Sequence, residues 1–361
     1  MVKRSDRRKK MMNINIAIIG VGNAASAFIQ GIYYYSNGMD KDGLTYKTLA
    51  GYRVSDVKVV AAIDISKDKI GKDLSEAIFS GSNEAAKIID VPNLGVKVEM
   101  GKPLDGVFEE TEKLYQTSSE PCTDIVNLLK TTETELVLCL LPSSADKAVK
   151  FYAERAIEAG VGFINATPTK LATDKDWVAK FENAGVPLVG DDLQDQIGST
   201  ILHKLILQEM EHRGVKIVES YALDVGGGPE SLNTIYRARG LKRDIKSQSI
   251  KSALKNDAEI VAGTSDYVPH LGNSRNTLLW IVGKHFNGQK IVIDMKIQSV
   301  DGANGGAILM DIVRACKVAL IREEKGAIMP ISAYGFKNPP GGTKNPDEAK
   351  TLLADFILGH I

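Results

Sequence analysis

The sequence predicts an α/β protein with a Rossmann-like, doubly wound parallel sheet and a second region that carries a mixed open sheet. Short apolar runs alternate with helical segments over the first half of the chain, which is typical of parallel strands joined by crossover helices. A glycine turn follows the first apolar run and opens a helix. Near residue 195 the pattern changes to strand-like stretches arranged as hairpins, which favours a sheet with one face in water.

The strands of the parallel sheet come first along the chain. Each is a short apolar run, as expected when helices cover both faces of a sheet. The predicted strands lie at residues 15–19, 56–63, 136–141, 161–165 and 187–190. The predicted helices between them lie at residues 23–35, 66–80 and 145–159.

The second region begins with a predicted helix at about residues 197–213. Its strand-like stretches lie at residues 217–223, 277–282 and 290–298. Strong helical periodicity returns at residues 305–324, and a short helix is predicted at 347–358 after a loop rich in glycine and proline.

The hexapeptide GVGNAA fits the dinucleotide-binding pattern G-x-G-x-x-G/A between a strand and a helix. Gly20 permits the tight turn, Gly22 lets a pyrophosphate approach the backbone, and Ala25 lets the helix pack close to the strand. The helix that begins near Asn23 and Ala24 supplies amide donors and a partial positive charge for the phosphates. A tight turn in a ligand-free α/β domain is the alternative interpretation.

Asp64 ends the second predicted strand, where a carboxylate commonly binds the adenosine ribose. Such a carboxylate repels a 2′-phosphate, so the sequence favours NAD over NADP. Asp64 lies 42 residues after Gly22, whereas about 20 is typical. The extra length, residues 33–55, is predicted to be an insertion before the second strand.

Two acidic residues, Asp191 and Asp192, follow the strand predicted at 187–190. Open α/β sheets bind ligands at the carboxyl ends of their strands, so both are candidates for cofactor binding. A solvated turn is the alternative.

Lys242 and Lys246 are four residues apart, so a helix would place both ammonium groups on one face. Each charge lowers the pKa of the other, which suits proton transfer. An exposed basic helix is the alternative, since Arg237, Arg239 and Arg243 are neighbours. Separately, Lys337 lies between an aromatic segment and a Pro-Pro pair, so its position is constrained.

Composition excludes several classes of protein. The 361 residues carry 45 basic and 45 acidic side chains, and 43% of them are hydrophobic, which excludes a disordered chain. Zero net charge argues against nucleic-acid or membrane partners, and no apolar run approaches the roughly 18 residues of a membrane span. Residues 1–11 form a basic tip that we expect to be disordered.

No metal site is predicted. The three cysteines show no CxxC spacing, and no histidine pairs with a cysteine or carboxylate at metal spacing. We expect reduced thiols in a cytoplasmic protein. A divalent or monovalent cation held by a substrate phosphate would leave no motif, so the sequence does not decide on such a cation.

Five segments together resemble the myo-inositol-1-phosphate synthase family in its shorter prokaryotic form. They occur in the family's order and are GVGNAASAFIQGIYYY, VVAAIDISKDKIGKDLSEAIF, VGDDLQDQIG, LDVGGGPESLN and SAYGFKNPP. The resemblance runs from about residue 14 to residue 358. It implies a Rossmann NAD-binding domain made of residues 12–196 and 305–361, with an inserted α+β catalytic and oligomerisation domain at 197–304. It also implies a homotetramer.

The resemblance implies an isomerase that converts glucose 6-phosphate into 1L-myo-inositol 1-phosphate with tightly held NAD. In the implied reaction C5 is oxidised, a C6 proton is lost, the enolate closes on C1 in an aldol step, and hydride returns to C5. Positioned ammonium groups would stabilise the oxyanions and move the protons.

The family's lysine pair matches Lys242 and Lys246 in an alignment with a one-residue gap, whereas an ungapped alignment offers Arg243 and Ser247. Lys337 matches the family's late lysine before a proline-containing loop. The resemblance thus implies oxyanion and proton-transfer roles for Lys242 and Lys337, and contact with a phosphate or alkoxide for Lys246.

The chain departs from the family where a turn normally holds an acidic residue and a lysine. Asn273 and Arg275 stand there, and an arginine is a poor proton shuttle because it stays protonated. Asp301 keeps an acidic position before the long helix and is a candidate catalytic residue, with a helix cap as the alternative. An NAD-dependent dehydrogenase of another phosphorylated or small polar substrate is the second interpretation of the chain, and a non-catalytic NAD-binding protein is the third.

Overall fold

A computed structural model describes residues 13–38 and 42–361 of the chain. The predicted basic tip at residues 1–11 lies outside the described residues. The strands are β1 (Ile14–Ile19), β2 (Val57–Asp64), β3 (Val98–Met100), β4 (Leu136–Cys139), β5 (Gly162–Asn165), β6 (Pro187–Val189), β7 (Lys216–Gly226), β8 (Glu259–Tyr267), β9 (Ser274–Lys284), β10 (Lys290–Val300) and β11 (Gly326–Ala327). The α-helices are α1 (Asn23–Ser36), α2 (Leu74–Ala77), α3 (Glu109–Glu112), α4 (Ile125–Thr131), α5 (Asp146–Ala159), α6 (Lys175–Ala184), α7 (Ser199–His212), α8 (Pro229–Asn233), α9 (Arg239–Lys251), α10 (Asp301–Ile321), α11 (Met329–Gly335) and α12 (Pro346–Leu358).

The first sheet has seven strands in the order β11-β6-β5-β4-β1-β2-β3, and every pairing in it is parallel. The strand order reverses direction between β1 and β4, which creates the crevice where doubly wound sheets bind ligands. Because helices cover both faces, the strands are mostly apolar, and every residue of β4 and β5 is buried. The predicted Rossmann-like sheet is confirmed.

The second sheet is mixed, as predicted, with strand order β10-β9-β7-β8 and one parallel pair, β7 with β8. Its core face packs on α7 and α9, with Leu207 and Ile250 among the buried side chains. Its other face exposes large apolar side chains that the strand register brings side by side. These are Tyr221, Leu223, Val261 and Leu278.

The helix predicted at residues 66–80 is wrong. This stretch forms turns, and only the single helical turn α2 remains. The Ser66 carbonyl accepts hydrogen bonds from the amides of both Lys69 and Ile70, at 3.0 and 3.1 Å, which closes a turn. Gly71 then adopts φ +81°, a left-handed conformation that ends helical winding. Strand β8 and helix α6 were not predicted, and α10 begins at Asp301, four residues before the predicted start.

The long helix α10 crosses α1 at very close range, and two glycines permit the approach. A Cβ atom on Gly302 would lie 2.8 Å from the carbonyl oxygen of Asn23, and one on Gly306 would lie 3.0 Å from the amide nitrogen of Phe28. The start of α1, which carries the glycine turn, is thereby held against the start of α10. No helix within the described ranges has both the length and the apolar character that crossing a membrane requires.

The predicted insertion before β2 is tied to α10 by one buried arginine. Arg314 is fully buried, and its guanidinium pairs with Asp311 at 2.7 Å. It also donates to the carbonyl oxygens of Tyr46, at 2.9 Å, and Tyr52, at 3.4 Å. A buried charge is tolerated only when such partners replace water.

Replacing Arg314 with methionine should destabilise the fold by about 3–5 kcal/mol, because Asp311 would be left buried without its counter-charge. Urea denaturation followed by circular dichroism measures this change. Arg213→Met is the matched control, since Arg213 forms an exposed pair with Glu209 within one helix turn, and such pairs contribute little to stability. Equal unfolding midpoints for the two variants would contradict the anchoring role of Arg314.

Candidate active site

A cavity of about 320 Å³ lies at the carboxyl ends of β1, β2 and β4, and it is closed on one side by residues of the mixed-sheet region. Eleven of the residues singled out from the sequence line it. They are Gly20, Gly22, Asn23, Ala24, Ala25, Asp64, Asp192, Lys242, Arg275, Asp301 and Lys337. Lys246 lines a smaller adjoining pocket of about 40 Å³. Asp191 lines neither.

The glycine turn has the geometry that the approach of a phosphate requires. Gly20 adopts φ +92°, and a Cβ there would lie 2.8 Å from the carbonyl oxygen of Leu140, so only glycine fits. The space around Gly22 is open, with no atom within 4 Å of a Cβ placed there. The backbone is therefore accessible where α1 presents its free amides.

Asp64 organises this turn. One carboxylate oxygen accepts from the amide of Val21 at 2.8 Å, while the other accepts from the amides of Ile65 and Ser66 at 2.7 and 2.9 Å. Lys69, which the sequence analysis missed, lies 3.7 Å from Asp64 and donates to the Val21 carbonyl at 2.8 Å. The Ser66 hydroxyl is buried in the cavity wall, and no described residue forms a hydrogen bond with it.

These observations fit the adenosine and pyrophosphate parts of a dinucleotide. The unpartnered Ser66 hydroxyl and the Asp64 carboxylate lie together at the end of β2, and open backbone lies at the end of β1. A carboxylate and a hydroxyl are suitable partners for ribose hydroxyl groups.

Glu230 joins the two regions of the chain across the cavity. Its carboxylate accepts hydrogen bonds from the amide of Ser143, at 3.2 Å, and from the Ser143 hydroxyl. Asn233, also on α8, accepts from the amide of Ser144 at 3.1 Å. The loop after β4 is thereby tied to the mixed-sheet region. The sequence offered only the unusual Gly-Gly-Gly-Pro stretch before Glu230 as a signal.

The centre of the site is a shared carboxylate. Asp192 is 2% exposed, and its Oδ1 atom lies 2.8 Å from Lys242 Nζ and 3.5 Å from Lys337 Nζ. Lys337 Nζ also donates to the carbonyl oxygen of Leu193 at 2.6 Å. The second carboxylate oxygen of Asp192 has no partner among the described residues.

The three groups titrate differently because their surroundings differ. Burial alone would raise the pKa of Asp192, but the two ammonium groups outweigh it and the pKa lies below the ordinary value. Burial also opposes the charge on Lys242, yet Asp192 and Glu230 raise the pKa of Lys242 above its usual range. For Lys337, burial and the charge of Lys242 prevail over Asp192 and lower the pKa. Lys242 therefore has the higher pKa of the two lysines, and Lys337 loses its proton more readily.

Lys246 already has two partners within the protein. It is buried in an ion pair with Asp224 and donates to the Ser199 hydroxyl at 2.6 Å. Asp224 in turn accepts from the Thr277 hydroxyl at 2.6 Å. The two lysines of α9 therefore face different carboxylates, which relieves the repulsion expected from their spacing.

Arg275 and Asp301 form a second ion pair in the cavity wall, at 2.7 Å. Burial raises the pKa of Asp301 to about 6. The charge of Arg275 lowers this pKa, whereas the charges of Asp195 and Asp224 raise it further. One atom of each partner, Arg275 Nε and Asp301 Oδ1, has no hydrogen-bond partner within the described part of the chain. Asp301 is the first residue of α10 rather than its cap, which is Val300.

Asp191 faces away from the cavity. Its carboxylate accepts from the side chain of Asn165 and from the amides of Leu171, Ala172 and Thr173, at 2.8–3.3 Å. Burial raises its pKa to about 6 against these hydrogen bonds. Both carboxylate oxygens accept hydrogen bonds that hold the loop after β5 in place, so the side chain is not available for direct contact with a cofactor. The sequence could not separate Asp191 from Asp192, because neighbouring residues in a turn point in different directions.

Among residues 13–38 and 42–361, no three His, Cys, Asp or Glu side chains come together in a way that could hold a metal ion. The carboxylates of the site are instead matched with lysine and arginine.

Comparison with known proteins places this site in a family. A family model described as myo-inositol-1-phosphate synthase matches residues 198–302. The chain is 38% identical to the inositol-3-phosphate synthase of Mycobacterium tuberculosis (strain CDC 1551 / Oshkosh), over 96% of both chains. It is also 38% identical to the inositol-3-phosphate synthase of Mycolicibacterium smegmatis, over 96% of this chain and 98% of that protein.

A solved structure shows the same fold. The crystal structure of a protein called Ari2 superposes with a TM-score of 0.78 at 28% identity, covering 96% of this chain and 99% of that one. Sequence and structural likeness both extend over almost the whole chain rather than over the glycine turn alone. The chain belongs to the myo-inositol-1-phosphate synthase family, whose members are intramolecular isomerases.

Proposed function

We propose that this chain is an inositol-3-phosphate synthase that converts glucose 6-phosphate into 1L-myo-inositol 1-phosphate with bound NAD. The observation that carries the proposal is the pair of lysines on Asp192, which lies in the same cavity as the glycine turn. An isomerisation by oxidation, enolisation, aldol closure and reduction needs proton transfer and oxyanion stabilisation next to a redox cofactor. Groups suited to both tasks line the same cavity as the glycine turn and Asp64.

The residues of the first region would hold NAD. Gly20, Gly22, Asn23, Ala24 and Ala25 would bind its pyrophosphate through the open backbone and the start of α1. Asp64, with Ser66 beside it, would bind its ribose. When bound, the nicotinamide supplies the removal of hydride from the substrate and its return. Asp192 would contact the cofactor from the side of the cavity that holds Lys242 and Lys337. Asp191 would support the loop after β5 without touching the cofactor.

Lys337 would act as the base that removes the C6 proton, because its lowered pKa makes a neutral amine more available. Its proton would later return to the oxygen formed in the aldol step. Lys242 would remain an ammonium group and stabilise the enolate oxygen, which matches its raised pKa. The resemblance alone left these two roles interchangeable; the difference in surroundings favours this assignment.

Three buried polar atoms without partners would recognise the substrate. Asp192 Oδ2 and Asp301 Oδ1 accept hydrogen bonds and suit hydroxyl groups, while Arg275 Nε donates and suits a phosphate or alkoxide oxygen. Buried polar atoms of this kind are costly unless a ligand satisfies them. Lys246 would act as an electrostatic partner of a phosphate from the adjoining pocket.

We further propose the division expected from the family: an NAD-binding domain of residues 12–196 and 305–361, and a catalytic and oligomerisation domain of residues 197–304. Strand β11 follows the mixed sheet in the chain but pairs with β6 in the parallel sheet, which supports an NAD-binding domain made of both ends of the chain. The exposed apolar face of the mixed sheet supports a homotetramer.

The first test is incubation of the purified protein with glucose 6-phosphate and a catalytic amount of NAD+, followed by phosphorus NMR. We expect inositol 1-phosphate to form without accumulation of NADH, because each oxidation is matched by a reduction. Added divalent and monovalent cations belong in the assay. Stoichiometric NADH formation would instead identify a dehydrogenase. No conversion under any condition, with NAD bound, would reject the substrate.

Replacing Lys337 with alanine should lower kcat by about 10²–10⁴-fold, the usual contribution of a positioned base. NAD affinity, measured by isothermal titration calorimetry, should stay unchanged. The control is Lys350→Ala on the exposed face of α12, which should keep full activity. A variant at position 337 with near-normal kcat would assign proton transfer to another group.

Replacing Asp64 with alanine should weaken NAD binding by roughly 10- to 100-fold, since hydrogen bonds to a charged group contribute about 1.5–3 kcal/mol. The loss has two sources, namely the ribose contact and the orientation of the glycine turn. Calorimetric titration with NAD measures it. Asp68→Ala, at an exposed position four residues further on, is the control. Equal affinity in both variants would exclude Asp64 from the cofactor site.

A further inference from the structure

Strand β10 (Lys290–Val300) forms one edge of the mixed sheet, and no strand within the described ranges pairs with its outer side. It is eleven residues long and pairs with β9 along its whole length without a register shift. It contains no proline. Edge strands of monomeric proteins are commonly short, bent by a bulge or interrupted by proline, because their free backbone groups invite another strand. None of these three features protects β10.

The two faces of β10 differ in a way that suits a further strand beside it. Ile293, Met295 and Ile297 alternate along the strand, pack against the hydrophobic core of the mixed sheet and remain partly exposed. Asp294 and Lys296 lie on the opposite face and are exposed, and neither forms an ion pair with another described residue. A neighbouring strand would cover the apolar side chains and could supply opposite charges to the other two.

A second copy of this chain offers a strand that fits the edge. Two identical strands that pair antiparallel are related by a two-fold axis perpendicular to the sheet, so one residue lies opposite its own copy. With Met295 on that axis, all eleven residues of each strand find a partner. Asp294 then lies opposite the partner's Lys296, and the same pair occurs again on the other side of the axis. On the apolar face, Ile293 lies opposite the partner's Ile297.

The neighbouring registers are less favourable. An axis at Asp294 or at Lys296 places like charges directly opposite each other, which is destabilising. An axis at Ile293 sets Lys290 opposite the partner's Lys296, and an axis at Ile297 gives neither Asp294 nor Lys296 a counter-charge. Each of these registers also leaves residues at the strand ends without a partner. The length of β10 and its charges therefore select the same register.

We propose that two copies of this chain associate through β10, edge to edge and antiparallel, with Met295 on the two-fold axis. The two four-stranded mixed sheets then form one continuous sheet of eight strands. This interface rests on β10 and not on the proposed reaction. It would be one of the interfaces of the proposed homotetramer, and the exposed apolar face of the mixed sheet stays available for another.

Charge reversal in the full-length protein tests the register, with sedimentation-velocity ultracentrifugation over a range of concentrations as the measurement. Asp294→Lys and Lys296→Asp each create two pairs of like charges in the interface, so each should weaken association by about 10- to 100-fold. The double variant Asp294→Lys/Lys296→Asp restores opposite charges and should recover most of the wild-type affinity. Lys350→Asp, at an exposed position on α12, is the control and should associate like wild type.

Crosslinking locates the axis independently of the charges. Met295→Cys is made in a Cys122→Ser background, because Cys122 is exposed. It should form a disulfide between two copies under mild oxidation, since residues directly opposite have Cβ atoms about 4.5–5.5 Å apart. Gln298→Cys in the same background is the matched control. In the proposed register it lies opposite the partner's Val292, six residues and roughly 20 Å from its own copy, so it should not crosslink.

Three results would each overturn the proposal: a wild-type protein that stays monomeric at every concentration, charge-reversed variants that associate as tightly as wild type, or equal crosslinking at positions 295 and 298. Dissociation by Leu223→Glu but not by Asp294→Lys would assign self-association to the apolar face instead, and would overturn it too. Conversion of glucose 6-phosphate is read separately by phosphorus NMR. A chain that pairs through β10 without converting this substrate rejects the proposed reaction and supports the interface.

Discussion

The buried carboxylate of Asp192 is the constraint on which the site depends. A carboxylate removed from water must be paired, and Asp192 meets this need with two ammonium groups, those of Lys242 and Lys337. These residues lie on a loop, on α9 and after α11, far apart along the chain. The backbone pairing of segment 191–194 with segment 335–338 places Lys337 next to the Asp192 carboxylate. One interaction thus gathers the parallel sheet, the mixed sheet and the carboxyl-terminal segment.

The close crossing of α1 and α10 completes this arrangement. Gly302 and Gly306 let α10 touch the backbone of α1, so the glycine turn and Asp301 lie side by side. Asp301 in turn pairs with Arg275 from β9, and its amide donates to the carbonyl of Asn273. Residues of the mixed sheet therefore reach the cavity beside the glycine turn through the packing of two helices. Arg275, which replaces the expected lysine, serves here as a fixed cation.

Much of the fold could be predicted because its signals are local. A strand, a glycine turn and a helix follow one another within about twenty residues, and the apolar runs of β1, β2, β4 and β5 mark their own positions. The helix predicted at 66–80 failed because the chain turns on the Ser66 carbonyl and then passes through the left-handed conformation of Gly71, which interrupts helical winding. Glu230 and Lys69 were missed, since a single charged residue on a polar segment carries no signal until its partner is known.

The amino-acid sequence by itself determined the α/β class, the glycine turn with Asp64, and the family to which the chain belongs. These depend on periodicity and on the order of short motifs, both of which are visible along a single chain. Only the tertiary structure decided which of two adjacent aspartates faces the cavity, and which of Lys242 and Lys337 holds its proton more strongly. Burial and Coulomb interactions set those properties, and both depend on groups that are distant in sequence and become neighbours only in the folded protein.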